Sequence, residues 1–73
     1  MDANTLEITI KASLKEMRER LERAAGIARA ADACAASGSI EKPVEVALDI
    51  EQIVYDVNTF LNAASMMHRI WRS

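Results

Sequence analysis

The chain has 73 residues, with nine Lys and Arg against eleven Asp and Glu, giving a net charge of −2. This length supports one small domain, 1–73, which buries too little surface to be sturdy alone unless it is stapled or oligomeric. The acidic balance argues against a nucleic-acid binder and against attraction to an anionic membrane.

About half the residues are apolar, yet only Tyr55, Phe60 and Trp71 are aromatic, and there are two Gly and one Pro. The apolar mass is Ala, Ile, Val, Leu and Met, which suits helices. A single cysteine, Cys34, excludes an internal disulfide, and one Cys with one His gives no zinc-site spacing. No apolar run reaches the roughly 18 residues of a membrane span. Met1-Asp2-Ala3-Asn4 lacks the basic and apolar regions of a signal peptide. These features set the expectation of a cytoplasmic protein, where a free thiol is ordinary.

Asn4 followed by Glu7 forms a capping-box pattern and predicts a first helix from about 5 to 36. Its apolar seam reads Ile10, Leu14, Met17, Leu21, Ala24, Ala28, Ala31 and Ala35, in steps of four and three. Between Lys15 and Arg23 the surface is densely charged. Glu16–Arg20 and Glu19–Arg23 have the favourable acid-first spacing, and Lys15–Glu19 and Arg18–Glu22 the reverse. Interleaved glutamates cancel the field of these cations, so the stretch reads as a solvated face. From Ala24 to Ala36 the helix is alanine-rich, allowing close approach of a neighbour. Gly26 lies outward in that stretch, at a cost of roughly 1 kcal/mol in helix propensity.

Ser37-Gly38-Ser39 is the break, within a turn of 37–42. Gly38 suits the left-handed residue that ends a helix, Ser39 is a candidate cap for the next, and Pro43 fits a first turn. The second helix, about 43 to 72, has the most regular pattern in the chain: Val46, Ile50, Ile53, Val57, Phe60, Ala64, Met67 and Trp71. Arg69 and Arg72 complement the dipole in its last turn.

A short turn makes the helices antiparallel. Pairing outward from it puts Ala35 with Val46, Ala31 with Ile50, Ala28 with Ile53 and Ala24 with Val57. Leu21–Phe60, Met17–Ala64, Leu14–Met67 and Ile10–Trp71 follow. Small residues face large ones near the turn, as an interdigitated core requires. The expected fold is all-α, an antiparallel helical hairpin of coiled-coil character.

Two helices enclose no core, and apolar residues remain off the seam. Ala47, Val54, Leu61, Ile27 and Cys34 widen the stripe and are the expected dimer interface. A second hairpin covering them makes a four-helix-bundle homodimer. Leu48, Tyr55, Met66, Ile70, Trp71, Leu6 and Ile8 are the candidate surface for another protein, since Met is adaptable and Trp anchors interfaces.

Chemical sites are weaker readings. His68 has Ala64 and Arg72 at its helical neighbours four away, neither a usual metal ligand. Cys34 sits among alanines near a helix C-terminus, where nothing activates a thiol. Glu41, Glu45, Asp49, Glu51 and Asp56 form an acidic surface suited to steering a basic partner. Acid–base chemistry with them needs a pocket, for which Ala-rich layers leave no room. The Glu-x-x-His pattern of di-iron bundles is absent. No cofactor, metal or enzymatic activity is expected.

The leading expectation is a non-enzymatic regulator, adaptor or inhibitor of the size of small bacterial or phage proteins, acting as a homodimer on another protein. In outline the whole chain also resembles the Rop-type RNA-binding bundle, in which two helical hairpins dimerise. That resemblance implies nucleic-acid binding through a basic face of Lys11, Lys15, Arg18 and Arg29.

Overall fold

The computed structural model describes residues 2–73. It contains α1 (Ala3–Ala36), α2 (Glu41–Ala47) and α3 (Asp49–Arg72). The described chain is all-helical: one long helix, α1, packs against a second, bent helix made of α2 and α3. The hairpin is a rod of 54 × 14 × 12 Å, with a Cα radius of gyration of 16.7 Å. A compact chain of this length has a radius near 11 Å.

α1 begins two residues earlier than the Asn4 cap predicts. Asp2 is the cap, with extended backbone (φ −77°, ψ 164°), and its Oδ1 accepts from the Thr5 N–H at 2.7 Å. Asp2 and Asn4 are both competent caps, but only Asp2 brings a charge to the positive end of the dipole. Leu6, one turn further on, is buried on the inward side of α1. Glu7, freed from a capping box, pairs with Lys11 at 2.9 Å.

The turn follows the sequence closely. Ser37 N–H donates to the Cys34 carbonyl and Gly38 N–H to that of Ala35, and Gly38 has φ of 103°. This is the helix stop that glycine performs without a Cβ penalty. The expected Ser39 cap is not used. Ile40 already has right-handed helical backbone and stands at the cap position of α2 without a side-chain hydrogen bond. Pro43 is the third residue of α2, where no backbone donor is needed, and it is buried.

The second helix bends at Leu48. The Leu48 N–H donates to Val44 and Glu45 carbonyls at 3.1 and 3.3 Å, and the Glu51 N–H donates three residues back to Leu48 at 3.1 Å. This is a local 3₁₀ tightening, with Leu48 at ψ −23°. Backbone on both sides stays helical, so α2 and α3 both lie along α1.

The seam of the second helix is the one its sequence predicts. Val46, Ile50, Ile53, Val57, Phe60, Ala64 and Met67 are all buried or half-buried, and only Trp71 is exposed. α1 is different. Its inward residues are Leu6, Ile10, Ser13, Met17, Arg20, Ala24, Ile27, Ala31 and Cys34, again in steps of four and three. Leu14 and Leu21 are 51% and 49% exposed, and Ala28 is exposed. The contact stripe is therefore turned by about 50° from the predicted one, half a residue step at 100° per residue. Phe60 is met by Arg20, whose guanidinium lies 4.6 Å from the ring centroid, rather than by Leu21. The Arg20 stem supplies apolar cover while its charge pairs with Glu16.

Candidate interaction surface

The hairpin has two unlike faces. In antiparallel helices, a residue one step beyond the seam falls on the same side of both rods. That puts Leu14, Leu21 and Ala28 of α1 beside Ala47, Val54 and Leu61 of the second helix. Val54 and Leu61 are 53% and 49% exposed, and Ala47 is half-buried. Two grooves fix the sidedness. One joins Glu7, Ile10 and Lys11 to His68 and Trp71. Its opposite joins Arg23 to Asp49, Gln52 and Asp56. The first continues the apolar face, and the second marks a polar one.

The core between the helices is thin. Leu6, Ala24, Ile53 and Ala64 are its buried apolar members, and no large described side chain is fully enclosed. The chain exposes 5386 Å². A compact protein of 8.1 kDa exposes about 4,500 Å².

The residues predicted for the dimer interface divide. Ala47, Val54 and Leu61 lie on the open apolar face. Ile27 and Cys34 are half-buried along the hairpin's own seam. Leu14 and Leu21, read as seam residues in the sequence, stand in the open face instead.

The residues predicted for a protein partner also divide. Leu6 is only 3% exposed and is part of the core, because it lies on the inward stripe of α1 with Ile10, Ser13 and Met17. Ile8, Leu48, Tyr55, Met66, Ile70 and Trp71 are 44% to 67% exposed. Leu48 and Tyr55 lie on the outer side of the second helix, away from α1. There they extend a stripe with Val44 and Ile40, which are 54% and 66% exposed.

The charged surface of α1 is largely self-paired. Lys11 bonds Glu7 at 2.9 Å, Lys15 meets Glu19 at 3.9 Å, and Arg18 bonds Glu22 at 3.0 Å. Glu19 thus turns to Lys15 rather than Arg23. Each i,i+4 pair contributes a few tenths of a kcal/mol, and together they leave little net field along Lys11, Lys15 and Arg18. The second helix is less balanced. From 41 to 56 it has five acids, Glu41, Glu45, Asp49, Glu51 and Asp56, and one base, Lys42, which meets Glu45 at 3.8 Å.

Cys34 is a half-buried free thiol, and His68 is exposed beside Trp71 in the open-end groove. Among the described residues, no three His, Cys, Asp or Glu side chains converge to hold a metal. No described helix is long and apolar enough to cross a membrane. Compared with family models, curated proteins and solved structures, the chain matches none.

Proposed function

We propose that this chain is a non-enzymatic protein–protein interaction module whose working form is a homodimer of helical hairpins, a four-helix bundle that acts on another protein as an adaptor, sequestering agent or inhibitor. The observation that carries the reading is the open apolar face of Leu14, Leu21, Ala28, Ala47, Val54 and Leu61. Contiguous apolar surface of this kind marks an association site. The surface excess of the whole rod supports a second copy as the occupant. The chain exposes roughly 900 Å² more than a compact protein of its mass, and each partner in a standard interface covers roughly 800 Å². The face carries no charge at its centre, so a two-fold operation brings apolar against apolar.

The Rop-like reading is not favoured. A nucleic-acid face needs unneutralised cations, and of the four, Lys11, Lys15 and Arg18 each face a glutamate, which leaves Arg29 alone outside the described ion pairs.

Sedimentation equilibrium over a hundredfold concentration range tests the proposal. The expected species has twice the 8.1 kDa chain mass, and Leu61→Asp shifts it to monomer. A wild-type chain that remains a folded monomer at every concentration overturns the homodimer.

A further inference from the structure

The outer side of the second helix carries a second apolar stripe. Ile40, Val44, Leu48 and Tyr55 are each more than half exposed. They extend about 22 Å along the helix at 1.5 Å per residue. The stripe lies on the outer side of the second helix; its Val44–Leu48 edge shares a groove with Ala47 and Val54, so a second copy seated on the Leu21–Leu61 face covers that edge and leaves the Leu48–Tyr55 side open. Leu48 is its ridge. On one side Leu48 lines a groove with Val44, Ala47, Ile50 and Val54, and on the other a groove with Tyr55, Asp49, Asp56 and Arg23 of α1.

The surroundings of the stripe are acidic. Glu41, Glu45, Asp49, Glu51 and Asp56 flank it against two bases, Lys42, which meets Glu45, and Arg23 of α1, so carboxylates outnumber cations. Glu51 lines both grooves. This charge selects among occupants. Another copy of the same stripe brings acidic rim against acidic rim, which is unfavourable. An anionic lipid surface requires Lys and Arg around the apolar residues. Nucleic acid requires the same cations. A basic amphipathic helix satisfies both halves: its apolar ridge packs along Val44, Leu48 and Tyr55, and its lysines or arginines meet the carboxylates.

We infer that the Ile40–Tyr55 stripe is the docking site for a basic amphipathic helix of another protein. The inference rests on the reading of this chain as a protein-binding module and names the chemistry of its partner. Apolar contact supplies affinity, and the acidic rim supplies orientation and rate.

The test uses the full chain, labelled with ¹⁵N, and two synthetic 18-residue amphipathic helices with the same leucine pattern. One carries lysine on its polar face and the other glutamate. The lysine peptide is expected to bind at least tenfold tighter, with amide shifts concentrated in residues 40–56 and affinity falling as salt rises. Leu48→Ser with Tyr55→Ser weakens it at least tenfold. Both side chains lie outside the seam, so circular dichroism should show an intact hairpin. Glu41→Lys with Glu51→Lys reverses the preference between the peptides. Equal binding of both peptides, no binding of the lysine peptide, or shifts confined to Leu14, Leu21 and Leu61 overturns the inference. Sedimentation of the same samples separates the two readings. A dimer that ignores the lysine peptide overturns the docking site and leaves the dimer standing. A monomer that binds it at 40–56 overturns the dimer and leaves the docking site.

Discussion

At the scale of single residues, the backbone explains more than the side chains. Gly38 stops α1 with φ of 103°, a conformation that L side chains rarely adopt. Gly38→Ala should cost about 1–2 kcal/mol, the strain of placing a Cβ there, read as a lower urea midpoint at fixed concentration. Gly26 is the opposite case. A Cβ built on it meets only the Arg29 Nη2 at 3.8 Å, the movable end of a side chain. Gly26→Ala should add about 1 kcal/mol from helix propensity and raise the melting midpoint by roughly 4–8 °C. An unchanged midpoint would show that glycine there has a role beyond the isolated hairpin. Asp2 gives the pH signature. The Thr5 backbone hydrogen bond holds its carboxyl below the ordinary Asp value. The folded chain therefore binds that proton less readily than the unfolded one. The cap is at full strength above the unfolded value and fades as pH falls through the folded one. The expected observation is a loss of Thr5 amide protection, measured against the intrinsic exchange rate at each pH, as pH falls below the ordinary carboxylate range. Asp2→Asn keeps an acceptor at the cap and should remove this pH dependence.

At the scale of elements, alanine sets how closely the helices pack. Ala24 on α1 and Ile53 on α3 are both buried, at 9% and 5% exposure. Ile53→Ala should cost about 2–4 kcal/mol, because a rod this thin has little neighbouring mass with which to refill the gap. Ala24→Leu should cost about 1–3 kcal/mol by forcing the rods apart. If urea midpoints showed Ala24→Leu to be stabilising, the close approach would be wrong. The same chemistry explains which elements the sequence predicts well. The second helix has a β-branched or large residue at nearly every seam position, so its inward face is unambiguous from Val46 to Met67. α1 has Ala24, Ala25, Ala28, Ala30, Ala31, Ala33, Ala35 and Ala36 in its C-terminal half. Apolar residues on nearly all sides give no unique phase. In the N-terminal half, Leu14 and Leu21 attract the seam assignment by hydrophobicity alone. Arg20 covering Phe60 is invisible to a pattern that scores arginine as polar. The Asn4 cap fails for a simpler reason: Asp2 has the same spacing to a donor and a charge as well.

At the scale of the whole molecule, folding and association should be one process. The rod exposes Leu14, Leu21, Val54 and Leu61 at about half their area each and encloses no large described side chain fully. Conformational entropy opposes ordering of the chain, and so thin a core offsets it poorly. A second hairpin supplies the missing layer, and it does so only for the folded state. Stability then contains a mass-action contribution of about 1.4 kcal/mol for each tenfold rise in chain concentration. The melting midpoint should accordingly climb by several degrees over a hundredfold range, followed by circular dichroism. Leu21→Asp places a charge at the centre of the face, far from the turn, the caps and the Ile53 layer. It should lower the midpoint and flatten its concentration dependence, while Tyr55→Ser, on the outer stripe, leaves both nearly unchanged. A wild-type midpoint independent of concentration, with full helicity retained, would mean that two helices suffice and that the Leu21–Leu61 face belongs to a different protein. If Tyr55→Ser flattened the dependence instead, the two apolar stripes would have exchanged roles, and the acidic face would be the one that pairs.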